Sequence, residues 1–355
     1  MSKNKKLKKF YKKKRVLITG HTGFVGSWLA FLMINLKCEV YGISKNKSIN
    51  SENYKILNIN KNIKKEFFID INNFKNINNK IKLIKPNIIF HLAAQSYVLE
   101  GYKNPLETLK TNIIGTANIL KSAIENKIKY NVIVTSDKCY SNLDKKKIFT
   151  ESSRLGGNDP YSVSKACAEL ISNSFSRSYK ERVYIDTVRA GNIIGGGDFG
   201  KNRLIPDIFF SKLHKRNLII RYPKAIRPWQ YILDVIFGYS LIPLNQKNRK
   251  NKFDSWNMGP KLKEKKINVI QIVRKFLQNF DKYKKIKIQN PNFKEAKILM
   301  LNSNKIRKKL KWDNKFNINE TILQTSEWYK IFYNGKKNKV KKYSQKILNE
   351  LITRI

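Results

Sequence analysis

The stretch Arg15–Leu36, RVLITGHTGFVGSWLAFLMINL, constrains the fold of this chain most. A short apolar run precedes a turn and then apolar residues at helical spacing, which predicts a strand, a turn and a helix. Glycines lie at Gly20, Gly23 and Gly26. Gly20 permits a tight turn, Gly23 lets a phosphate approach the backbone, and Gly26 lets the helix pack closely on the strand. The N–H groups that open such a helix attract a pyrophosphate, although a plain turn has similar spacing.

Strands and helices alternate after this stretch up to about Ala190. We predict strands at Glu39–Ser44, Glu66–Ile69, Asn87–His91, Tyr130–Thr135 and Val183–Arg189. Helices are expected before Ile84, after Pro105, and from Asp159-Pro160 to about Tyr179; Asn46–Lys65 is expected to be a loop with one weak helix. Strands joined by helices of this length predict an α/β fold, a doubly wound parallel sheet of the Rossmann type.

Shifts in composition divide the chain into four parts. Residues 1–14 hold eight lysines and are expected to form a basic tail that frays, with Phe10 and Tyr11 packing back. Residues 15–190 are expected to form the dinucleotide-binding domain. Residues 191–335 are expected to form a smaller, mixed α/β substrate lobe with possible returns to the sheet and helices near Val269–Phe280 and Glu320–Tyr333. Residues 336–355 are expected to form a peripheral basic tail.

Charge and cysteine content narrow the class of protein. The formal net charge of +48 favours a polyanion partner, but the lysines are spread along the chain without a recognition module, so we expect no nucleic acid as the main partner. Cys38, Cys139 and Cys167 lack metal-ligand spacing, so we expect no metal and a reducing compartment. No run reaches the about 18 apolar residues of a membrane helix, so we expect a cytoplasmic protein without a membrane partner.

Two short motifs carry the candidate chemistry. Tyr161 and Lys165 share a face of a predicted helix, so the lysine's charge is expected to lower the pKa of the phenol and make tyrosinate a usable base. Ser136, Asp137 and Lys138 follow the predicted fifth strand, at the sheet edge where ligands bind. A carboxyl and an amine beside a serine indicate a proton transfer, such as an elimination, in addition to hydride transfer. Alternatively, Tyr161 and Lys165 lie on an ordinary amphipathic helix, and Ser136, Asp137 and Lys138 form a solvated turn.

A series of motifs carries a family resemblance between about Lys14 and Gly259: TGHTGFVGSWL, FHLAAQ, TSDKCY, YSVSK, VRAGNIIGGGD, RLIPDI, IRPWQYILD and WNMGP. Together they resemble the extended short-chain dehydrogenase/reductase family, and within it the nucleotide-sugar 4,6-dehydratases that act on CDP-glucose. The resemblance implies an NAD-dependent lyase that converts CDP-glucose to CDP-4-dehydro-6-deoxyglucose for deoxysugar and surface polysaccharide synthesis. It also implies a homodimer, or a higher homo-oligomer, with pairing through the helices that follow Pro105 and Asp159. Another sugar-nucleotide dehydratase, epimerase or reductase, or a polyanion-binding protein on the same scaffold, is the alternative.

The resemblance assigns a role to each candidate catalytic residue. Tyr161, held by Lys165 and helped by Ser136, would deprotonate the glucose 4-hydroxyl. Asp137 would protonate the departing C6 hydroxyl. Lys138 stands where related dehydratases carry a glutamate, and it would act either as a neutral base or as a charged stabiliser of the C4 enolate.

The same resemblance implies the binding residues. Those for NAD are Gly20, Gly23, Phe24, Gly26, Asp70, Ile71, Leu92, Ala93, Ala94 and Lys165. Those for the nucleotide sugar are Gln95, Ser96, Asn192, Arg203, Leu204 and Arg227. Alternatively, Asp70 caps the next helix and Leu92–Ala94 belong to the core. Ser44 and Lys45 stand where NAD enzymes often carry an acid, so NADP is an alternative cofactor.

Overall fold

A computed structural model describes residues 2–45, 52–142, 148–179, 183–246, 249–262, 266–279, 286–289 and 296–355. Its strands are β1 Arg15–Thr19, β2 Glu39–Ser44, β3 Lys65–Phe68, β4 Ile88–His91, β5 Tyr130–Val134, β6 Ile148–Phe149, β7 Tyr184–Ala190, β8 Ile193–Ile194, β9 Leu218–Ile220, β10 Gln230–Tyr231, β11 Phe253–Met258, β12 Ile286–Ile288 and β13 Met300–Leu301. These strands form one large sheet and three two-stranded ones.

The helices are α1 Lys3–Tyr11, α2 Phe24–Asn35, α3 Glu52–Ile56, α4 Ile59–Asn62, α5 Phe74–Ile84, α6 Val98–Lys103, α7 Pro105–Leu109, α8 Gly115–Glu125, α9 Pro160–Ser178, α10 Leu204–Leu213, α11 Ile232–Gln246, α12 Val269–Gln278, α13 Asn304–Leu310, α14 Ile318–Tyr333 and α15 Lys337–Arg354. A π-helical turn, Lys110–Ile114, joins α7 to α8, and a 3₁₀ turn, Asp137–Cys139, follows β5.

The large sheet has seven parallel strands in the order β11-β7-β5-β4-β1-β2-β3. The chain runs outward to β2 and β3 on one side of β1, and then returns to β4 and continues outward on the other side. The order therefore reverses between β1 and β4, and ligands of open α/β sheets bind beyond the carboxyl ends of the strands at that point. The predicted doubly wound α/β fold is confirmed.

Helices cover both faces of this sheet because the central strands are apolar on both faces. Leu17 and Ile89 pack on one face with Ile77, Ile81 and Ile119 of α5 and α8. Val16 and Phe90 belong to the larger cluster on the other face, which includes residues of α2 and α11. Continuous apolar strands of this kind are typical of buried parallel sheets.

The structure corrects the expectation of a frayed amino-terminal tail and a peripheral carboxyl-terminal tail. Residues 3–11 form α1, in which Leu7 is buried; Tyr11 packs back as expected, and its hydroxyl donates to the Ser240 carbonyl at 2.8 Å. Residues 337–354 form α15, which buries Val340, Leu348 and Leu351. In both segments the apolar residues recur at helical spacing among the lysines, so one face packs on the core while the charged face meets solvent.

Two other sequence expectations differ from the structure, and one open point is answered. The helix after Pro105 is interrupted by the π-helical turn. The possible return to the sheet after residue 190 is present, because β11 pairs with β7 along six residues. The described part of the expected Asn46–Lys65 loop contains α3 and α4, whereas 46–51, like Phe280 at the end of a predicted helix, lie outside the described residues.

Candidate active site

The glycine turn after β1 has the geometry that its spacing predicts. Gly20 has φ +73°, a left-handed conformation that strains other residues. A Cβ on Gly26 would lie 2.1 Å from the Gly20 carbonyl oxygen, so only glycine lets α2 approach the turn this closely. Gly23 precedes the first helical residue, Phe24, and has no side chain to cap the helix. The first-turn N–H groups of α2 therefore form a seat for a phosphate.

A buried histidine within the glycine turn links the turn to the neighbouring strands. His21 lies fully buried between Ser44, whose Oγ is 3.0 Å from Nδ1, and Glu66, whose Oε2 is 2.9 Å from Nε2. Burial lowers the pKa of His21, while the hydrogen bond to Glu66 opposes that fall. Ser44 also accepts a hydrogen bond from the Thr22 hydroxyl at 3.2 Å. Ser44 thus ties the end of β2 to the turn.

The segment after β4 lies against the glycine turn. A Cβ on Gly20 would lie 2.9 Å from the Ala93 nitrogen and 3.0 Å from the Leu92 carbonyl carbon. The N–H groups of Leu92 and Ala93 both donate to the Thr19 hydroxyl oxygen at 3.2 Å. Leu92, Ala93 and Ala94 are half-buried, so they line the crevice between β1 and β4 instead of belonging wholly to the core.

His91, the last residue of β4, is a structural histidine. Its two ring nitrogens contact the hydroxyls of Thr19, at 2.7 Å, and Thr116, at 3.1 Å. Burial, and secondarily the charge of Lys165, lowers the pKa of His91 to about 3. The ring is therefore neutral, and it fixes the crevice without exchanging protons near neutral pH.

Asp70 and Ile71 follow β3 at the same edge of the sheet. The Asp70 carboxylate accepts from the Asn72 N–H at 2.9 Å and lies 2.8 Å from Lys45 Nζ, and the side chain of Asn73 caps α5 instead. Ile71 is buried. Glu107 also reaches Lys45 Nζ, at 3.2 Å, so two carboxylates face this one ammonium.

Ser136, Asp137 and Tyr161 meet at the carboxyl end of β5. All three side chains are buried, and the Ser136 hydroxyl donates to Asp137 Oδ1 at 3.0 Å. The side chains of Ser136 and Tyr161 share a hydrogen bond, which favours the tyrosinate, whereas the nearby Asp137 charge disfavours it. We call Ser136, Asp137, Tyr161 and Lys165 the catalytic corner.

The start of α9 explains how Tyr161 reaches this corner. Asp159 caps the helix by accepting from the Ser162 N–H at 2.9 Å, and Pro160 occupies the first helical position. Tyr161 therefore lies in the first turn, and Lys165 follows on the same face one turn later. Both side chains are buried against the ends of the strands.

The expected lowering of the Tyr161 pKa is not what the structure shows. Burial raises the pKa of Tyr161 to about 12, an effect larger than the lowering by the hydrogen bond to Ser136. The Lys165 ammonium donates to the Val134 carbonyl at 3.2 Å, and burial lowers the pKa of Lys165 to about 8. The sequence pattern predicts the shared helix face but contains no information on this desolvation.

Lys138 and Gly191 complete the surroundings of Asp137. The Lys138 N–H donates to the Ser136 hydroxyl oxygen at 3.2 Å, and the Lys138 side chain is half-buried. A Cβ on Gly191, which follows β7, would lie 1.8 Å from Asp137 Oδ2. Glycine at this position therefore leaves room for the Asp137 carboxylate between the ends of β5 and β7.

Three of the six predicted sugar-binding residues lie close together. The Arg203 guanidinium donates to the Ser96 hydroxyl at 2.9 Å, forms an ion pair with Asp198 at 3.2 Å, and its charge lowers the pKa of Tyr161. The Gln95 side chain instead donates to Thr108 Oγ1 at 2.8 Å and so holds its own loop. Gln95 thus lies at the site, but its amide nitrogen is used within the protein.

Asn192, Leu204 and Arg227 lie farther along the second half of the chain. Asn192 has φ +43°, and its carbonyl accepts from the Gln230 N–H at 3.2 Å. Leu204 opens α10 directly after Arg203. Arg227 is buried, donates to the Ile226 carbonyl at 3.1 Å, and lines a cavity of about 360 Å³ together with Trp229.

The structure adds four residues that sequence reasoning missed. Asn112, in the π-helical turn, donates to Ser164 Oγ at 2.8 Å and to the Gln95 carbonyl at 2.9 Å, so it joins α9 to the loop after β4. Gln230 donates to the Gly191 and Met258 carbonyls. Glu169 and Arg189 form a buried ion pair behind the catalytic corner. Glu169 falls one turn after Lys165, which is the one signal in the sequence that connects it with the site.

A dinucleotide crevice beside a Ser-Asp-Lys turn and a Tyr–Lys helix has the arrangement that the family resemblance implies for a Rossmann-fold enzyme that transforms sugar nucleotides. The comparisons with known proteins agree with this class. The sequence profile of the family described as GDP-mannose 4,6 dehydratase matches residues 17–325. The chain belongs to this family.

One relative supports that membership, and two solved structures share the fold. The chain is 36% identical to the CDP-glucose 4,6-dehydratase of Salmonella typhimurium over 92% of this chain and 94% of that protein. The dTDP-glucose 4,6-dehydratase of Bacillus anthracis, solved in complex with NAD, superposes with a TM-score of 0.77 at 23% identity, covering 89% of this chain and 96% of that chain. The UDP-glucose 4-epimerase of Thermotoga maritima, solved with UDP-glucose, superposes with a TM-score of 0.80 at 21% identity, covering 90% of this chain and 99% of that chain.

Two structural observations concern metals and membranes. Among the described residues, no group of three or more His, Cys, Asp or Glu side chains is arranged to hold a metal ion. Within the same part of the chain, no helix has the length and apolar character needed to cross a membrane.

Proposed function

We propose that this protein is an NAD-dependent 4,6-dehydratase that converts CDP-glucose to CDP-4-dehydro-6-deoxyglucose and water. The observation that carries the proposal is the meeting of Ser136, Asp137 and Tyr161 in one buried corner at the carboxyl edge of the sheet. An oxidation needs only the serine and the Tyr–Lys pair, whereas the additional carboxyl and the adjacent Lys138 suit the loss of water. The similarity to a CDP-glucose 4,6-dehydratase over nearly the whole chain supports the choice of substrate.

The residues present fit an NAD molecule. The left-handed Gly20 and the close approach of Gly26 leave the first turn of α2 open to a pyrophosphate. Asp70 and Ile71 are proposed to border the adenine, and Leu92–Ala94 the nicotinamide. Lys45 faces Asp70 and Glu107, so its charge is already compensated and offers little to a 2′-phosphate; this favours NAD over NADP. The chemistry that bound NAD would supply is a hydride acceptor for the sugar C4 and then a hydride donor for C6.

The first proton transfer belongs to Tyr161. Its hydrogen bond to Ser136 and the nearby Arg203 charge favour the tyrosinate and offset part of the opposing effect of burial, and this tyrosinate would remove the proton from the 4-hydroxyl. The C4 hydrogen would leave as a hydride in the same step, so the sugar becomes a 4-ketone. Burial of the corner excludes water, so the proton and the hydride leave in controlled directions.

The second stage removes water across C5 and C6. The 4-ketone acidifies the C5 proton, Asp137 protonates the departing C6 hydroxyl, and a base accepts the C5 proton. The half-buried Lys138 is proposed to act at this stage. It serves either as the base, in its neutral form, or as a cation that stabilises the enolate. Addition of hydride at C6, and of a proton at C5 in exchange for the one that the base took up, then gives the 6-deoxy product. Tyr161 has gained one proton and Asp137 has lost one, so net return of that proton from the phenol to the carboxyl, which Ser136 links by hydrogen bonds, restores both groups.

Recognition of the nucleotide sugar is assigned to the second half of the chain. Arg227 is proposed to bind the pyrophosphate, because a guanidinium can donate two hydrogen bonds to phosphate oxygens. Asn192, Arg203 and Leu204 are proposed to border the sugar-nucleotide, with Ser96 and Gln95 near the hexose. The proposed division is therefore a dinucleotide domain at 15–190 and a mainly substrate-binding lobe at 191–335.

A homodimer is proposed from an exposed apolar surface. Leu106 of α7 and Leu170 of α9 are 80% and 56% exposed, and Ile114 and Val163 are exposed on the same group of helices. Large exposed leucines on adjacent helices suit burial against a second copy. Leu106→Glu combined with Leu170→Glu should give a monomer by light scattering, while Leu323→Glu, at a 58% exposed leucine on α14, should leave the dimer intact. A monomeric wild type would refute the proposal.

The substrate is tested with a panel of CDP-, TDP-, UDP- and GDP-hexoses in the presence of NAD. We expect the alkali-induced absorbance of a 4-keto sugar, with CDP-glucose as the best substrate. An epimerase or reductase of the same fold would give a C4 epimer or an NAD-dependent net redox change without loss of water. Turnover of a different nucleotide would correct the base preference, and the absence of any 4-keto product would refute the dehydratase function.

The alternative of a polyanion-binding protein has one structural observation in its favour. A groove of about 980 Å³ at the amino-terminal edge of the sheet is lined by eight lysines and by no Asp or Glu among the described residues. We call this the lysine groove. Replacement of Lys6, Lys9 and Lys309 by Gln should remove salt-dependent binding of polyphosphate if the groove serves this role, and Tyr161→Phe should leave that binding unchanged. Cytoplasmic location, surface polysaccharide synthesis and the absence of a metal stay predictions from the sequence.

A further inference from the structure

Behind the catalytic corner lies a buried ion pair that no step of the proposed reaction uses. Glu169 of α9 and Arg189 of β7 are 1% and 3% exposed, and Arg189 Nη2 lies 2.7 Å from Glu169 Oε2. Ion pairs withdrawn from water this completely contribute little net stability, because desolvation offsets much of their attraction. Stability alone is therefore a weak explanation for a full charge pair at this position.

The Glu169 carboxylate connects the helix of Tyr161 to the strand end that carries Ser136. Its Oε1 accepts from the Thr135 hydroxyl at 2.5 Å, and Thr135 immediately precedes Ser136 and Asp137. Its Oε2 accepts from the Thr187 hydroxyl on β7 at 2.6 Å. One carboxylate therefore bonds the residue that leads into the Ser-Asp turn and the strand beside it.

The same carboxylate also acts on Lys165 through charge. Glu169 follows Lys165 by four residues, so the two side chains share a helix face. The Glu169 charge favours the protonated form of Lys165, against burial, which lowers the pKa of Lys165 to about 8; the nearby Cys139 acts in the same direction as Glu169. Lys165 also lies near His91, which is neutral. Glu169 is thus the one carboxylate among the groups that raise the pKa of Lys165.

Arg189 holds the carboxylate in place from the far side. Its Nη1 donates to the Tyr140 hydroxyl at 2.7 Å and to the Glu151 carbonyl at 3.1 Å, and Tyr140 in turn donates to Asn257 Oδ1 at 2.6 Å. Arg189 therefore ties Glu169 to β11 and to the segment before α9. The pair cannot rotate without breaking bonds to several elements.

We propose that Glu169 and Arg189 are a positioning pair for the catalytic corner: through Thr135 the carboxylate fixes the Ser136–Asp137 turn, and from the same face of α9 it sets a negative charge one helical turn from Lys165. The inference rests on the proposed function, because the corner it positions is the one assigned to dehydration. Neither residue touches the substrate in this account. Both act through Thr135 and Lys165.

Two threonine variants separate this role from ordinary packing. Thr135→Val and Thr187→Val each remove one buried hydrogen bond to the same carboxylate and leave the ion pair intact; Thr135→Val also removes the 3.2 Å contact of that hydroxyl with the Val188 carbonyl. We expect Thr135→Val to lower kcat by about tenfold with little change in KM, because a small displacement of the Ser-Asp turn misplaces reacting groups. Thr187→Val should keep kcat within about twofold at a comparable loss of thermal stability. Equal kcat losses in the two variants would overturn the proposal.

A readout that needs no turnover tests the effect on Lys165. The neutral amine of Lys165 reacts with acetic anhydride, so the pH dependence of its acetylation, measured by peptide mass spectrometry, reports its protonation. In Glu169→Gln the midpoint should move to lower pH by about one unit, the scale of a buried charge effect, and in Thr187→Val it should not move. An unchanged midpoint in a folded Glu169→Gln would overturn this part.

These outcomes are distinguishable from failure of the proposed function. If Glu169→Gln does not fold because Arg189 is left unpaired, the Thr135→Val and Thr187→Val comparison decides the positioning role. If the wild-type protein dehydrates no nucleotide sugar, the proposed function fails, whereas the acetylation midpoints still report whether Glu169 controls the charge of Lys165. A midpoint shift in an inactive protein would therefore support the pair and refute the reaction.

Discussion

The two edges of the central sheet carry charge in opposite ways. At the carboxyl edge, Lys165, Asp137, Glu169 and Arg189 are buried, and each cation has a carbonyl or carboxylate partner. At the amino-terminal edge, six of the eight lysines of the lysine groove are exposed. There Lys3 has its pKa lowered by burial and by the charges of Lys315 and Lys311.

This difference teaches where charge indicates function. An exposed lysine keeps most of its hydration, so a basic composition can fill such positions at little cost. A buried charge is stable only with partners at fixed positions, so the carboxyl edge specifies a geometry while the amino-terminal edge specifies little more than solubility. The net charge of +48 is therefore a weaker indicator of activity than the four buried charged residues at the carboxyl edge.

Removal of the Tyr161 hydroxyl, at the carboxyl edge of the sheet, should lower turnover more than any other change. Tyr161→Phe should lower kcat by about 10²- to 10⁴-fold, the range expected for loss of a general base, with unchanged circular dichroism. Tyr179→Phe, at the exposed end of the same helix, should keep wild-type turnover. Near-normal rates in Tyr161→Phe would show that another group takes the 4-hydroxyl proton.

Neutralisation of Asp137 should separate the oxidation from the loss of water. Asp137→Asn keeps the side-chain shape but cannot protonate the departing hydroxyl, so turnover should fall by about 10²-fold or more and reduced cofactor should accumulate in a single turnover. The measurement is the near-ultraviolet absorbance of NADH after mixing with CDP-glucose. Dehydration at the wild-type rate would remove Asp137 from the elimination.

A methyl group at Gly191 tests the space around Asp137 without changing any charge. Gly191→Ala places a Cβ where the Asp137 carboxylate lies, so the carboxylate must move and dehydration should slow by about tenfold or more. Gly259→Ala is the matched control, because its Cβ would lie 3.3 Å from the nearest atom, Leu301 Cβ. If both variants have the same kcat, the packing of β7 against Asp137 does not position the acid.

The smallest effect is expected at the amino-terminal edge. Tyr11→Phe removes the buried hydrogen bond from α1 to the Ser240 carbonyl and should lower the free energy of unfolding by about 1 kcal/mol, with kcat unchanged. Tyr41→Phe loses only a 3.4 Å contact with Glu39 near the surface and should change stability by less. Urea denaturation measures both. A kcat loss in Tyr11→Phe would show that the two edges are coupled.

Local patterns explain how much of this could be predicted from the sequence. The spacing of Gly20, Gly23 and Gly26 predicts the turn, because each glycine is required by its immediate neighbours. Position after a strand likewise predicts the Ser136–Lys138 turn, and helical period predicts the face shared by Tyr161 and Lys165. The structure brings Ser136 and Tyr161 into hydrogen-bonding contact, which local patterns can suggest but not establish.

Long-range partners explain what could not be predicted. Tyr11 donates a hydrogen bond to a residue 229 positions away, and β11 pairs with β7. A pattern within a short stretch of sequence cannot identify either partner. The lysines of α1 and α15 hide the few apolar residues that dock each helix on the core. The raised pKa of Tyr161 depends on burial by several elements at once. The pairing of Glu169 with Arg189 joins a helix to a strand across the corner for the same reason.

The central claim is that one buried pocket performs oxidation, loss of water and reduction on the same sugar. Turnover of CDP-glucose carrying deuterium at C4, followed by NMR of the product, tests it most directly. We predict that the deuterium appears at C6 of the 4-dehydro-6-deoxy product, with a solvent-derived hydrogen at C5. Deuterium that remains at C4, or that is lost to solvent without reaching C6, would contradict the account.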